Sequence, residues 1–150
     1  MIDRRHIGHA FEPFTVLVEA GRLRFFAKAT GQSDPVYIDV DAARAAGYRN
    51  LPVPPTFLFC LEMDSPRPAA VREVVGMDYQ RLLHGEQSFT YHRMAYAGDT
   101  LRFEQRIADI YDKKNGALDF VVRHTRVTQQ DGDLVAELRT VTVQPNAAQD

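Results

Sequence analysis

From Gly85 onward the chain is a succession of alternating segments separated by turn signals, and this pattern limits the folds open to it. Residues 88–94 alternate between apolar and polar side chains. Residues 100–111 follow an Ala-Gly-Asp turn and carry Leu101, Phe103, Ile107 and Ile110. Lys113-Lys114-Asn115-Gly116 is a hairpin signal, because type I′ turns need positive φ at both central residues and Asn-Gly tolerates it. Residues 118–128 alternate again, with Phe120, Val122, His124, Arg126 and Thr128 on one face. Gln130 to Asp133 is a second turn, residues 134–143 are a last strand, and the tail 145–150 is expected to fray. About four antiparallel strands in succession make a meander, whose apolar face needs a cover.

The first half of the chain supplies that cover. Residues 14–18 are β-branched and apolar, as in a short strand, after a polar lead-in at 1–10. Residues 19–30 carry Leu23, Phe25, Phe26, Ala27 and Ala29 among charges, the pattern of an amphipathic helix stopped by Gly31. Residues 39–46 suit a short helix with Asp39 as N-cap and Gly47 just beyond it. A loop stiffened by Pro52, Pro54 and Pro55 follows. Residues 56–63 are apolar on nearly every side, which marks a buried helix, with Pro55 in its first turn. Residues 69–83 predict a short strand or turn and then a helical turn at 78–83. The expected class is α+β in a single domain over 1–150; an antiparallel sheet wrapped around a central buried helix satisfies the pattern, and so do other α+β folds.

Composition narrows the function classes. The net charge is −2 with no acidic or basic block, which argues against nucleic acid or an anionic membrane as partner. Cys60 is the sole cysteine, so the sequence holds no internal disulfide and no cysteine-based metal cluster. The start of the chain lacks the apolar core of a signal peptide, and no run approaches the ~18 apolar residues of a membrane span. A reducing cytoplasm is the expected location.

Three blocks of sequence carry a resemblance. They are FFAKATGQSDPVYIDVDAARAAGY at 25–48, LPVPPTFLF at 51–59 and LLHGEQSFTYHRMAYAGDTL at 82–101. Over residues 5 to 144 the chain resembles MaoC-like dehydratases of the N-terminal, FAS1-like type. The resemblance implies a hotdog fold acting on (3R)-hydroxyacyl or enoyl thioesters of CoA or acyl carrier protein, with no cofactor. The catalytic signature of such enzymes reads Gly-Asp-x-Asn-Pro-x-His. Here Gly31 and Pro35 are kept, while Gln32, Asp34 and Tyr37 stand in the Asp, Asn and His places. The resemblance therefore implies a substrate-binding subunit. It would work in a homodimer or heterodimer, beside a MaoC-like chain with an intact Asp/His motif. The alternatives are a self-sufficient homodimeric hydratase or acyl thioesterase, and a non-catalytic acyl-binding protein.

Hydration of an enoyl thioester needs a base, a group that orients water, and donors to the thioester oxygen. Gln32 does not ionise, and a tyrosine such as Tyr37 has an ordinary pKa of about 10, too high for a base near neutrality. Asp34 is the carboxylate left in the frame; it either orients water or caps a turn before Pro35. The amides of Thr56 and Phe57, at the start of the buried helix, are candidate donors to a thioester carbonyl, or are satisfied by water or a loop carbonyl. His84, Glu86 and Gln87 are candidates for a substitute base or a polar lining of the acyl tunnel, with Gly85 allowing close backbone approach, and in a thioesterase Asp34 or Glu86 would activate water; a hydrogen-bonded turn that starts a strand is the plainer reading. His6 and His9 have no neighbouring carboxylate that would suggest a metal site. His92 and His124 read as packed or surface residues. Phe57, Phe59, Tyr79, Phe89, Tyr91 and Phe103 read mostly as core, with a few of them candidates to line an acyl channel.

Overall fold

The computed structural model describes residues 1–146. Strand β1 (Phe14–Leu17) leads into helix α1 (Ala20–Thr30), followed by α2 (Val40–Ala45), α3 (Phe57–Glu62) and α4 (Ala70–Val75). Four strands complete the chain: β2 (Leu83–Tyr91), β3 (Thr100–Lys113), β4 (Leu118–Thr128) and β5 (Leu134–Pro145). All pairings are antiparallel, in the order β1-β3-β4-β5-β2. The β3–β4 hairpin turns as its Asn-Gly demands, with φ of 53° at Asn115 and 83° at Gly116.

Helix α3 lies on the sheet's inner face. Phe57, Leu58 and Leu61 share a core with Leu23 of α1, Phe103 of β3, Val127 of β4 and Leu138 of β5. Each such side chain contributes about 1.5–3 kcal/mol on burial. The helix is shorter than its apolar run: Met63 is half exposed, and Thr56 precedes the helix. Pro55 lies in the turn before it, outside the first helical turn expected for it. One residue of the buried run is charged. Glu62 is 2% exposed. Cys60 is half-buried, and burial pushes its thiol up from its usual pKa, as befits an unreactive packed cysteine.

Several expectations need correction. In α1 the helical period turns Leu23 and Ala27 inward, and that leaves Phe25 74% exposed. Residues 70–75 form α4 where a strand or turn was expected. Their valines suit a strand locally, but Val75 packs with Met77, Ile107, Ile110 and Val121 in a second cluster, and Gly76 at φ 71° ends the helix. Strand β2 begins at Leu83, five residues before the alternating segment that pointed to it. Of the tail, Pro145 ends β5 and the Asn146 side-chain Nδ2 donates to the Gly116 carbonyl at 2.7 Å; residues 147–150 lie outside the described part.

The two edges of the sheet differ. The lead-in runs along β3 beyond β1, with the Gly8 amide donating to the Ile107 carbonyl and the Phe11 amide to that of Gln105. The other edge is β2, with eight of its nine residues exposed, Leu83 and Tyr91 among them. An open edge of that length presents unpaired backbone groups and is a ready site for another strand.

Candidate functional site

Gly31, at φ 71°, ends α1 and starts the segment that the signature would occupy. The Gln32 side-chain oxygen accepts the Asp34 amide at 3.1 Å, and an Asp34 carboxylate oxygen accepts the Val36 amide at 3.1 Å. Both side chains are exposed and turned onto their own backbone. Asp34 thus caps the short 3-10 turn Pro35–Tyr37. Tyr37 alone of the three reaches a cavity, one of about 340 Å³ that it lines with Val53, Pro55, Leu58 and Tyr91. Burial pushes the Tyr37 phenol above its usual pKa, with Tyr48 and Asp34 adding to the shift, so near neutrality it is a donor and not a base.

The same cavity abuts the entrance to α3. Thr56 sits there at φ 72°, a left-handed conformation costly for a β-branched residue. Its amide donates to the Tyr91 hydroxyl at 2.8 Å, and the Phe57 amide donates to the Pro54 carbonyl at 3.1 Å. Both amides expected to face a ligand are therefore occupied. Tyr91, which the sequence grouped mostly with the core, lines this cavity: its oxygen accepts from Thr56, and its hydroxyl proton is left for a further acceptor. The site offers two phenols, Tyr37 and Tyr91. His92 also borders the cavity, but its Nε2 lies 3.0 Å from Glu137. Backbone strain of this kind is commonly kept where function requires it. Thr56→Gly is expected to raise stability by about 1 kcal/mol by removing the left-handed penalty, measured by urea denaturation.

His84 belongs to a different place. The β2–β5 register shifts between His84 and Glu86, and Gly85 is the extra residue of the bulge. A Cβ at Gly85 would meet the Val143 side chain at 2.7 Å and the Val141 carbonyl at 3.3 Å, so only glycine allows the approach. The bulge aims His84 inward with Gln87. Its ring lies edge-on to Phe59, 5.9 Å between centroids, in a second cavity of about 410 Å³. Glu86 turns to the opposite face, pairs with Arg139 at 2.8 Å and lines neither cavity. His84 and Tyr91 stand at opposite ends of β2, roughly 20 Å apart at the usual rise per residue. Of the sequence candidates, Tyr37 lines the first cavity and His84 the second, while Gln32, Asp34, Thr56, Phe57 and Glu86 line neither.

A buried polar cluster went unnoticed in the sequence. Glu62 of α3 accepts from Arg123 at 2.7 Å, from Gln105 at 2.9 Å and from the Thr125 hydroxyl. Arg123 also lines the second cavity. The signal was one acid within an apolar helix, matched by Arg123 and Thr125 on the other face of β4 from the one that the sequence grouped together.

Comparison with known proteins agrees with this architecture. A sequence model of the FAS1-like, dehydratase domain region matches residues 5–138. A UPF0336 protein of Saccharopolyspora erythraea is 34% identical, covering 99% of this chain and 95% of that protein. The truncated HadBC (3R-hydroxyacyl-ACP dehydratase) complex of Mycobacterium tuberculosis superposes with a TM-score of 0.74 at 27% identity, covering 91% of this chain and 96% of that one. A MaoC-like dehydratase gives a TM-score of 0.83 at 27% identity, covering 95% of this chain and 43% of that one.

Proposed function

The chain belongs to the FAS1-like dehydratase family and has the hotdog fold of the MaoC-like dehydratases, and from that membership we propose that it is the substrate-holding subunit of a (3R)-hydroxyacyl/enoyl thioester dehydratase or hydratase. The observation that carries this reading is the cavity beside Thr56. Its phenols, Tyr37 and Tyr91, can donate hydrogen bonds to a thioester carbonyl. Removal of the α-proton needs a base with a pKa near the working pH. Gln32 does not ionise, Tyr37 stays protonated, and Asp34 is capped onto its own turn. The proton transfers then fall to a second hotdog chain with an intact Asp/His motif, in a heterodimer. The open edge of β2 offers a place for such a chain.

The thioesterase alternative needs Asp34 or Glu86 to activate water. The capping of Asp34 and the Arg139 pairing of Glu86 favour the substrate-holding reading over it. Purified alone, the chain is expected to hydrate crotonyl-CoA at no more than about a hundredth of the rate reached with a MaoC-like chain carrying Gly-Asp-x-Asn-Pro-x-His, followed by loss of enoyl absorbance. Full activity from the lone chain would refute the partner-dependent reading. Free thiol released from acyl-CoA would turn it into a thioesterase.

A further inference from the structure

The second cavity has two unlike walls. One is mostly apolar, with Phe59 and Met63 at α3 and Val71 and Met77 around α4, and it also carries Arg72 of α4, whose guanidinium lies over the Tyr79 ring at 4.9 Å from its centroid. The other is the sheet, polar except for Val121. His84 of β2 is directly opposite Thr142 of β5, and Thr140 of β5 is directly opposite Arg123 of β4, so a polar stripe crosses three adjacent strands. Part of the stripe is already satisfied. The Thr140 hydroxyl donates to Gln87 at 2.7 Å and accepts from Arg123 at 3.3 Å, and the Arg123 charge is matched by Glu62. His84 and Thr142 keep their hydrogen-bonding groups free toward the cavity among the described residues.

We infer that this cavity selects an acyl chain bearing a neutral oxygen, a hydroxyl or a ketone, along its length. This rests on the substrate-holding reading given above, and it adds the identity of the chain. A plain aliphatic chain would cover the Thr142 hydroxyl and the His84 ring with methylenes and leave them without partners. A chain oxygen at the stripe would pair with them, and sites built to bond an oxygen discriminate against ligands that lack it.

The test is calorimetric titration of the full chain with stearoyl-CoA, a chain long enough to run from the Tyr91 end of β2 to its His84 end, and with its derivatives hydroxylated at successive carbons in the distal half of the chain. At least one derivative is expected to bind about fivefold more tightly than stearoyl-CoA, the worth of one added neutral hydrogen bond. Thr142→Val keeps the β-branched shape and is expected to bring that derivative and the parent to equal affinity. If every derivative binds no better than stearoyl-CoA, or if the preference survives Thr142→Val, the inference fails while the acyl-binding reading stands. If neither the parent nor any derivative binds, the substrate-holding reading fails and takes the inference with it.

Discussion

Arg123→Leu is expected to destabilise the protein by about 3–5 kcal/mol and to lower its melting temperature by roughly 10 °C. The cause is not the loss of a favourable pair as such. A buried ion pair gains little net energy, because removing both charges from water offsets most of their attraction. What costs is the remaining partner. Glu62 would stay 2% exposed with Gln105 and Thr125 as its donors and no countercharge. The double variant Glu62→Leu with Arg123→Leu removes both charges and should recover most of the loss. Guanidinium denaturation of the two single variants and the double variant checks this as a cycle. A double variant no more stable than Arg123→Leu would mean that the cluster stabilises the fold in itself.

This cluster also shows where sequence reasoning stops. The meander was readable because strand alternation and the Asn115-Gly116 turn are local properties. The caps were readable for the same reason: Asp39 accepts the Asp41 amide, and Gly31 closes α1 in a left-handed conformation. Two features were not local. Glu62 meets Arg123 across 61 residues, and nothing near either residue announces the other. The direction of His84 depends on a bulge whose extra residue is set by how β2 pairs with β5. Simple alternation from Phe89 and Gln87 would have put His84 on the outer face. The same alternation hid Glu86, which seemed to accompany His84 and in fact lies behind it. At the candidate site, position 37 was legible from the signature alone. Its companion Tyr91 became visible only when the sheet brought it to Thr56.

Restoring the signature tests the meaning of that site most directly. Gln32→Asp with Tyr37→His is expected to raise hydration of crotonyl-CoA by the lone chain about a hundredfold, the lower end of what positioned acid–base groups contribute. Position 37 already faces the cavity beside Tyr91, so an imidazole there would sit within reach of a bound thioester and have a pKa near neutrality. At position 32 the existing side chain accepts the Asp34 amide, and a carboxylate accepting the same hydrogen bond would be held in its ionised form. The two changes should act as a unit, each alone giving little, because an acid and a base are both needed in one turnover. Tyr91→Phe added to the active double variant should then lower kcat/KM about tenfold through loss of a carbonyl donor, with binding of a saturated acyl-CoA less affected. A double variant that folds, binds acyl-CoA and shows no gain would mean that the chain lacks more than its acid–base pair. The entrance to α3 would then have to be treated as a binding site whose catalytic geometry is absent, and not as an active site missing two side chains.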